Sequence, residues 1–76
     1  AMPRVTRERV LSGRGIEVLS LVAQGKINKE IADQLWIGLT TVITHRKKIQ
    51  EKLGLKSVSS LTIYAVMHGF VDINMI

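Results

Sequence analysis

Apolar residues recur every three or four positions along most of the chain, which is the spacing of amphipathic helices. In the first such stretch the apolar positions are Ile16, Leu19, Val22 and Ala23. We expect a helix over about 12–24, with Ser12 as its N-cap. Its first turn is weak, because Gly13 and Gly15 each cost up to about 1 kcal/mol relative to alanine.

Three further helices are predicted by the same pattern. Asn28 is the expected N-cap of a short helix over about 29–36. A longer helix is predicted over 39–53, and a last one over about 57–68 with Ser57 as its N-cap. The inward positions of the longer helix are Val42, His45, Ile49 and Leu53. No hairpin turn or alternating apolar run is present, so the fold class is predicted to be an all-α, four-helix helix-turn-helix bundle.

The composition narrows the class of protein. The 76 residues suit one small domain, and the absence of cysteine excludes thiolate catalysis and cysteine zinc sites. The net charge of +5 favours a polyanionic partner, such as nucleic acid or an acidic membrane. No apolar run approaches the roughly 18 residues of a membrane span, and the first residues contain no apolar run followed by a small-residue cleavage site. We expect a cytoplasmic protein with no membrane partner, in which 1–10 is a basic leader or linker end and 11–76 is the domain.

The middle pair of predicted helices has the spacing of a helix-turn-helix unit. Counted from Asn28 as position one, the small residue Ala32 stands at position five, where the second helix must cross the first closely. Apolar residues stand at positions four, eight, ten and fifteen, which are Ile31, Leu35, Ile37 and Val42. Trp36 replaces the frequent glycine at position nine, and we expect it in the core or over the turn. At position eighteen we expect His45 to be partly buried and to bridge the core to a backbone group or a phosphate, rather than to be a metal ligand.

The second helix of such a unit presents one side to the major groove of DNA. The residues expected to contact bases share that side, because they are three or four positions apart, and they are Thr40, Ile43, Thr44 and Lys47. Threonine hydroxyls bond to bases, threonine and isoleucine methyls meet the thymine methyl, and a lysine donates to guanine. Beside them, Arg46, Lys48, Lys29 and Lys52 suit phosphates. The alternative is a merely solvated helix face, but the spacing and the basic composition together favour DNA.

The order of residues resembles the LuxR/NarL-type DNA-binding domain, the output domain of many bacterial response regulators and quorum-sensing regulators. The similarity covers about Leu11 to Val71. Its signature is the run Asn28 to Ala32, the pair Thr41 and Val42, then His45, and the ending Lys52 and Leu53. The resemblance implies a four-helix domain in which the helix over 39–53 enters the major groove and Ile43, Thr44 and Lys47 face bases.

Two further sets of contacts are implied by the resemblance. The implied contacts to the DNA backbone are Lys29, Thr41, His45, Arg46 and Lys48. The fourth helix is implied to form a two-fold homodimer contact on DNA, for which the outward candidates are Ser59, Thr62, Ile63 and Val66. We expect Ile63 and Val66 to have no role in the core.

Three residues depart from the family pattern. Gly15 stands where a glutamate usually opens the first helix, so its capping and ion-pair role is lost. Gly38 replaces a common serine before the third helix, and glycine is only slightly worse as an N-cap. Ile43 stands where a lysine is frequent, which shifts the expected preference toward a thymine-containing step.

The first hypothesis is therefore the output domain of a bacterial transcription regulator, which binds double-stranded DNA as a dimer without catalysis. The second is a helical protein-interaction module that docks RNA polymerase or a receiver domain. The third, an enzyme, has little support, because the chain has two isolated histidines, no cysteine and no carboxylate pair at motif spacing. We expect no cofactor, no metal and no small-molecule ligand in this domain.

Overall fold

The computed structural model describes residues 11–75. In that part of the chain the helices are α1 Gly13–Ala23, α2 Asn28–Leu35, α3 Leu39–Leu53 and α4 Val58–Met67, followed by one turn of 3-10 helix over Ile73–Met75. Residues 11–75 contain no strand, so the all-α prediction is confirmed. The predicted helix bounds are correct to within one residue at each end. The basic leader predicted over 1–10 lies outside the described residues.

Among the predicted N-caps, Ser12, Gly38 and Ser57 are confirmed, whereas Asn28 is wrong. Ser12 Oγ accepts a hydrogen bond from the Gly15 N–H at 3.0 Å, and Ser57 Oγ accepts one from the Ser60 N–H at 3.1 Å. Asn28, in contrast, is the first residue inside α2, because Ile27 has the extended backbone of an N-cap and its C=O accepts the first helical bond.

α1 lies at the centre of the fold and packs against each of the other three α-helices, while α2 and α3 also pack against each other. The most deeply buried large side chains come from every helix, and they are Leu19, Ile31, Leu61, Val18 and Val42. Leu11 and Val71, which flank the helices in sequence, are also buried and close this core. The core therefore ties the two ends of the described chain to the same cluster.

α2 and α3 form the predicted helix-turn-helix pair. Ile31 and Ala32 are buried in α2, and Val42 is buried in α3. Leu35 and Ile37 are half-buried and pack against the core at the turn. The small side chain of Ala32 permits the close crossing that the spacing predicts. No helix among residues 11–75 is long and apolar enough to cross a membrane.

Candidate nucleic-acid interface

The two sides of α3 differ in their exposure to solvent. Val42 and Ile49 are buried, and Leu53 is half-buried against the core. His45, predicted on the inward side, is half-buried at its margin. The positions that were predicted to contact bases are all exposed, and they are Thr40, Ile43, Thr44 and Lys47. We call these four residues the outer face of α3. Since all four are exposed, no other element of the described chain covers this face.

Positive charge is concentrated on and beside the outer face. The cationic residues of α3 are Arg46, Lys47, Lys48 and Lys52, against one carboxylate, Glu51. The first turn of α3 contains no acidic residue, so the positive end of its helix dipole is not offset there. Lys29, in the first turn of α2, is exposed as well. A polyanion that approaches the outer face therefore meets a favourable field from the front end of α3 and from its flanks.

Arg46, beside the outer face, is held by a hydrogen bond to α2. Its Nη1 donates a hydrogen bond of 2.7 Å to the Oδ1 of Asn28, which lies 18 residues earlier at the start of α2. This bond is partly buried and links the two helices of the helix-turn-helix pair. A guanidinium has five N–H donors, so Arg46 keeps others for a second partner. This role of Asn28 was not predicted from the sequence, because the residue was assigned to capping.

On the opposite flank, α3 meets the beginning of α1. A shallow depression there is lined by Leu11, Ser12, Gly15, His45, Lys48, Ile49 and Lys52. Gly15 is buried at this contact, and a Cβ on it would lie 3.3 Å from Ser12 Oγ and 3.6 Å from Leu11 Cβ. A side chain at this position would require Ser12 Oγ to shift by a few tenths of an ångström. The depression brings His45, Lys48 and Lys52 together beside the N-terminus of α1.

Trp36 lies neither in the core nor over the turn, so both expectations for it are wrong. Its side chain is 92% exposed, and it is the one non-glycine residue of the described chain with a positive φ, 59°. The left-handed backbone lets the N–H groups of Trp36 and Ile37 both donate to the C=O of Ala32. This requirement explains why a glycine is frequent at position nine.

The four predicted dimer residues of α4 differ in their surroundings. Ser59 and Ile63 are exposed, Ile63 by 59%. Thr62 is half-buried, and its Oγ1 donates to the C=O of Val58 at 2.9 Å. Val66 is half-buried against the core, so the expectation that it has no role there is wrong. Met67 was missed, although it lies four residues after Ile63 and is 78% exposed. The outward apolar row of α4 therefore runs through Ile63 and Met67.

The described residues contain no group of three or more histidine, cysteine, aspartate or glutamate side chains that could hold a metal ion. The ring of His68 is exposed and stacks on Tyr64, with ring centroids 4.0 Å apart. Phe70 lies beside both rings, with centroids at 5.9 Å from His68 and 6.3 Å from Tyr64. These three rings form a cluster at the end of α4. None of them is close in sequence to the outer face of α3.

An all-α domain whose helix-turn-helix pair leaves one helix face uncovered, with basic residues on and beside it, is typical of DNA-binding transcription regulators. The family comparison agrees with this class. Residues 9–65 match the family model GerE, described as bacterial regulatory proteins of the luxR family. The chain belongs to the luxR family. Since this is a family of DNA-binding regulators and not of enzymes, the expectation that the chain is not an enzyme is confirmed.

Individual relatives are similar over most of the chain. It is 44% identical over 64 residues to the oxygen regulatory protein NreC of Staphylococcus carnosus strain TM300. It is 47% identical over 64 residues to the protein of the same name in Staphylococcus aureus strain JH9. Each alignment covers 84% of this chain but 30% of the relative. The chain therefore spans about three-tenths of the length of the curated relatives that it matches.

Proposed function

We propose that the chain binds double-stranded DNA in a sequence-dependent way, with α3 in the major groove. The observation that carries this proposal is the uncovered outer face of α3, which lies opposite the buried Val42 and Ile49. A recognition helix must present one side to base edges while its other side fixes it to the domain. α3 meets both conditions in a chain that belongs to a family of DNA-binding regulators.

The base contacts are assigned to Thr40, Ile43, Thr44 and Lys47. The threonine hydroxyls donate to or accept from base edges, and Lys47 donates to guanine O6 or N7. Threonine and isoleucine have short, stiff side chains, so the helix backbone can approach the bases closely and little rotamer freedom is lost on binding. The exposure of all four side chains supports this assignment.

The phosphate contacts are assigned to the two flanks of α3 and to the start of α2, and they are Lys29, Thr41, His45, Arg46 and Lys48. Arg46 contributes the N–H groups that Asn28 does not occupy. His45 and Lys48 act from the depression beside α1. Contacts on both flanks let the domain hold both strands that border one groove, which positions α3 without reading sequence.

The dimer contact is assigned to α4. Ser59, Thr62 and Ile63 lie on its outer side with Met67, and Val66 supports that side from the core. In a two-fold dimer the same patch meets itself, so a single apolar row serves both subunits. Two copies that meet in this way bind two half-sites about 10 base pairs apart, related by inversion.

The alternative, a module that docks another protein such as RNA polymerase or a receiver domain, has one observation in its favour. Trp36 and Met67 are large apolar side chains with almost no burial in the described structure. Because the chain spans about three-tenths of its relatives, regulatory input from elsewhere in a longer protein belongs to this proposal too. We place the activity in the cytoplasm, where bacterial promoters are.

Selection from a random duplex pool, followed by fluorescence anisotropy on the selected duplex and a scrambled one, tests the proposal. We expect recovered sites made of two inverted half-sites, and tighter binding to the selected duplex. The logarithm of the binding constant should fall linearly with the logarithm of salt concentration, because phosphate contacts release counterions. Absent or salt-insensitive binding would favour the protein-docking alternative.

A triple variant tests the role of the outer face in DNA binding without altering the core. Thr40→Ala, Thr44→Ala and Lys47→Ala together alter exposed side chains only and leave the buried side of α3 intact. Its circular dichroism and thermal unfolding should match or exceed those of the parent, since alanine is a better helix former than threonine. Its preference for the selected duplex over the scrambled one should fall steeply, because Ile43 is the one assigned base contact of the outer face that remains. A folded triple variant that kept the full preference of the parent would refute the assignment of the outer face.

A further inference from the structure

Two large apolar side chains are exposed at the front end of α3. Leu39, the first residue of the helix, is 50% exposed, and Ile43, one turn later, is 49% exposed. Residues four apart lie on the same side of a helix, so the two side chains follow one another along its surface. Leu39 was not among the predicted DNA contacts.

Neither residue serves the core. The half-buried apolar residues that pack on the core include Ile37, just before α3, and Leu53, at its end, but not Leu39 or Ile43. About half of each side chain is open to solvent, so the core does not require a large apolar residue at either position. The fold therefore does not explain why both of these exposed residues are apolar.

The position of the pair limits what it can contact. The N-terminal residues of a recognition helix are the ones that reach base edges. In the major groove these edges present hydrogen-bond donors and acceptors, with one apolar group among them, the C5 methyl of thymine. An apolar side chain placed against a donor or acceptor leaves that polar group without its water and without a replacement partner. The thymine methyl is thus the base feature that an exposed leucine or isoleucine can meet without this loss.

We propose that Leu39 and Ile43 form a methyl-reading edge of α3, which selects duplexes with thymines at neighbouring steps of each half-site. This proposal rests on the proposed function, and it adds Leu39 to the residues that determine specificity. Four residues of helix advance about 6 Å, close to two base-pair steps of about 3.4 Å each. The two thymines are therefore expected one to two steps apart, with Thr40 facing the polar edges beside them.

Uracil substitution in the selected duplex tests this edge, because deoxyuridine keeps every hydrogen-bonding group of thymidine and lacks only the methyl. For the parent chain, replacing either contacted thymine should weaken binding about fourfold, the effect of exposing one buried methyl-sized group. The Leu39→Ala variant should lose sensitivity to uracil at one of these positions, and Ile43→Ala at the other. Each variant should keep the parent's sensitivity at the remaining position.

Lys47→Ala serves as the matched control, since it alters the outer face without touching an apolar side chain. It should weaken binding yet keep the uracil effect at both positions. A selected site without thymine near α3, or uracil effects that survive both alanine variants, would overturn the methyl-reading edge while sequence-specific DNA binding stands. Selection that returned no preferred sequence at all would overturn the proposed function itself.

Discussion

Val42 and Ile49 lie in the core on one side of α3, whereas Thr40 and Ile43 are exposed on the other. On the inner side, close packing against α1 and α2 dictates size and shape. On the outer side no neighbour imposes either, and helix propensity alone would favour alanine, lysine or glutamate. The β-branched residues found there are middling helix formers. Packing therefore explains the residues of the inner side, whereas the proposed DNA binding would explain those of the outer side.

The ends of α2 and α3 form a second comparison. Gly54 ends α3 with φ 68°, and Trp36 ends α2 with φ 59°. In both cases the next residue donates back across the turn, Leu55 to the C=O of Gln50 and Ile37 to that of Ala32. Both residues adopt the left-handed backbone conformation, but only glycine does so without a steric penalty. The end of α2 thus stores strain that the end of α3 avoids.

The largest expected effect comes from one substitution made on each side of α3. Ile49→Ala should lower the free energy of unfolding by about 2–5 kcal/mol, because it opens a cavity in the core. Ile43→Ala removes the same atoms from an exposed site and should change stability by at most about 0.5 kcal/mol. Urea unfolding of both variants measures the difference. Equal losses of stability would break the distinction between the two sides.

Lys47 and Lys48 are adjacent in α3, but we expect them to contact different parts of DNA. Lys47→Ala should cost about 1–3 kcal/mol at one base pair and relax specificity there. Lys48→Ala, one residue further round the helix, should weaken binding to all sequences alike and reduce the salt slope by about one. Anisotropy titrations against single-base variants of the selected duplex, at two salt concentrations, distinguish them. If Lys48→Ala abolished the sequence preference and left the salt slope intact, the two roles would be wrongly assigned.

Arg46 lies between the two sides of α3, because it is half-buried and bonds to Asn28 of α2. Asn28→Ala should lower the free energy of unfolding by about 1 kcal/mol through the loss of this bond. Asn28→Asp should retain the stability, since a carboxylate also accepts from Arg46, but it should weaken DNA binding by adding negative charge beside Lys29. A double-mutant cycle with Arg46→Ala checks the coupling. Additive losses in that cycle would mean that the bond contributes nothing.

The smallest effect concerns the two helix ends. Trp36→Gly should raise the free energy of unfolding by about 0.5–1 kcal/mol, because relief of the left-handed strain exceeds the entropy cost of glycine. Gly54→Ala should lower it by a similar amount, since it introduces the same strain at the end of α3. Thermal unfolding of both variants provides the measurement. A Trp36→Gly variant less stable than the parent would show that the indole makes stabilising contacts.

The sequence was most informative where the determining contacts are local. Helix bounds and the helix-turn-helix spacing follow from apolar periodicity, and Ser12 and Ser57 each bond to an N–H three residues away. Asn28 was misassigned because its role depends on Arg46, 18 residues further along the chain. A local rule for N-caps contains no information about such a partner.

The other two errors have different physical origins. Trp36 was expected to be buried because it is large and apolar, but a left-handed backbone at the turn directs its side chain into solvent. Val66 was misplaced because α4 is apolar on nearly every side, so periodicity does not distinguish its packed side from its outer side. In both cases the surroundings of the side chain depend on the three-dimensional path of the chain, which apolar spacing along the sequence does not give.

The most direct test of the central claim is a titration of the isotope-labelled chain with its selected duplex, followed by amide chemical-shift changes along the sequence. We expect the largest changes on α3 from Leu39 to Lys48, together with Lys29 at the start of α2. Changes on α4 are expected as well if two copies meet on the duplex. A bound state in which the amides of Thr40, Ile43, Thr44 and Lys47 keep their free positions would contradict the account.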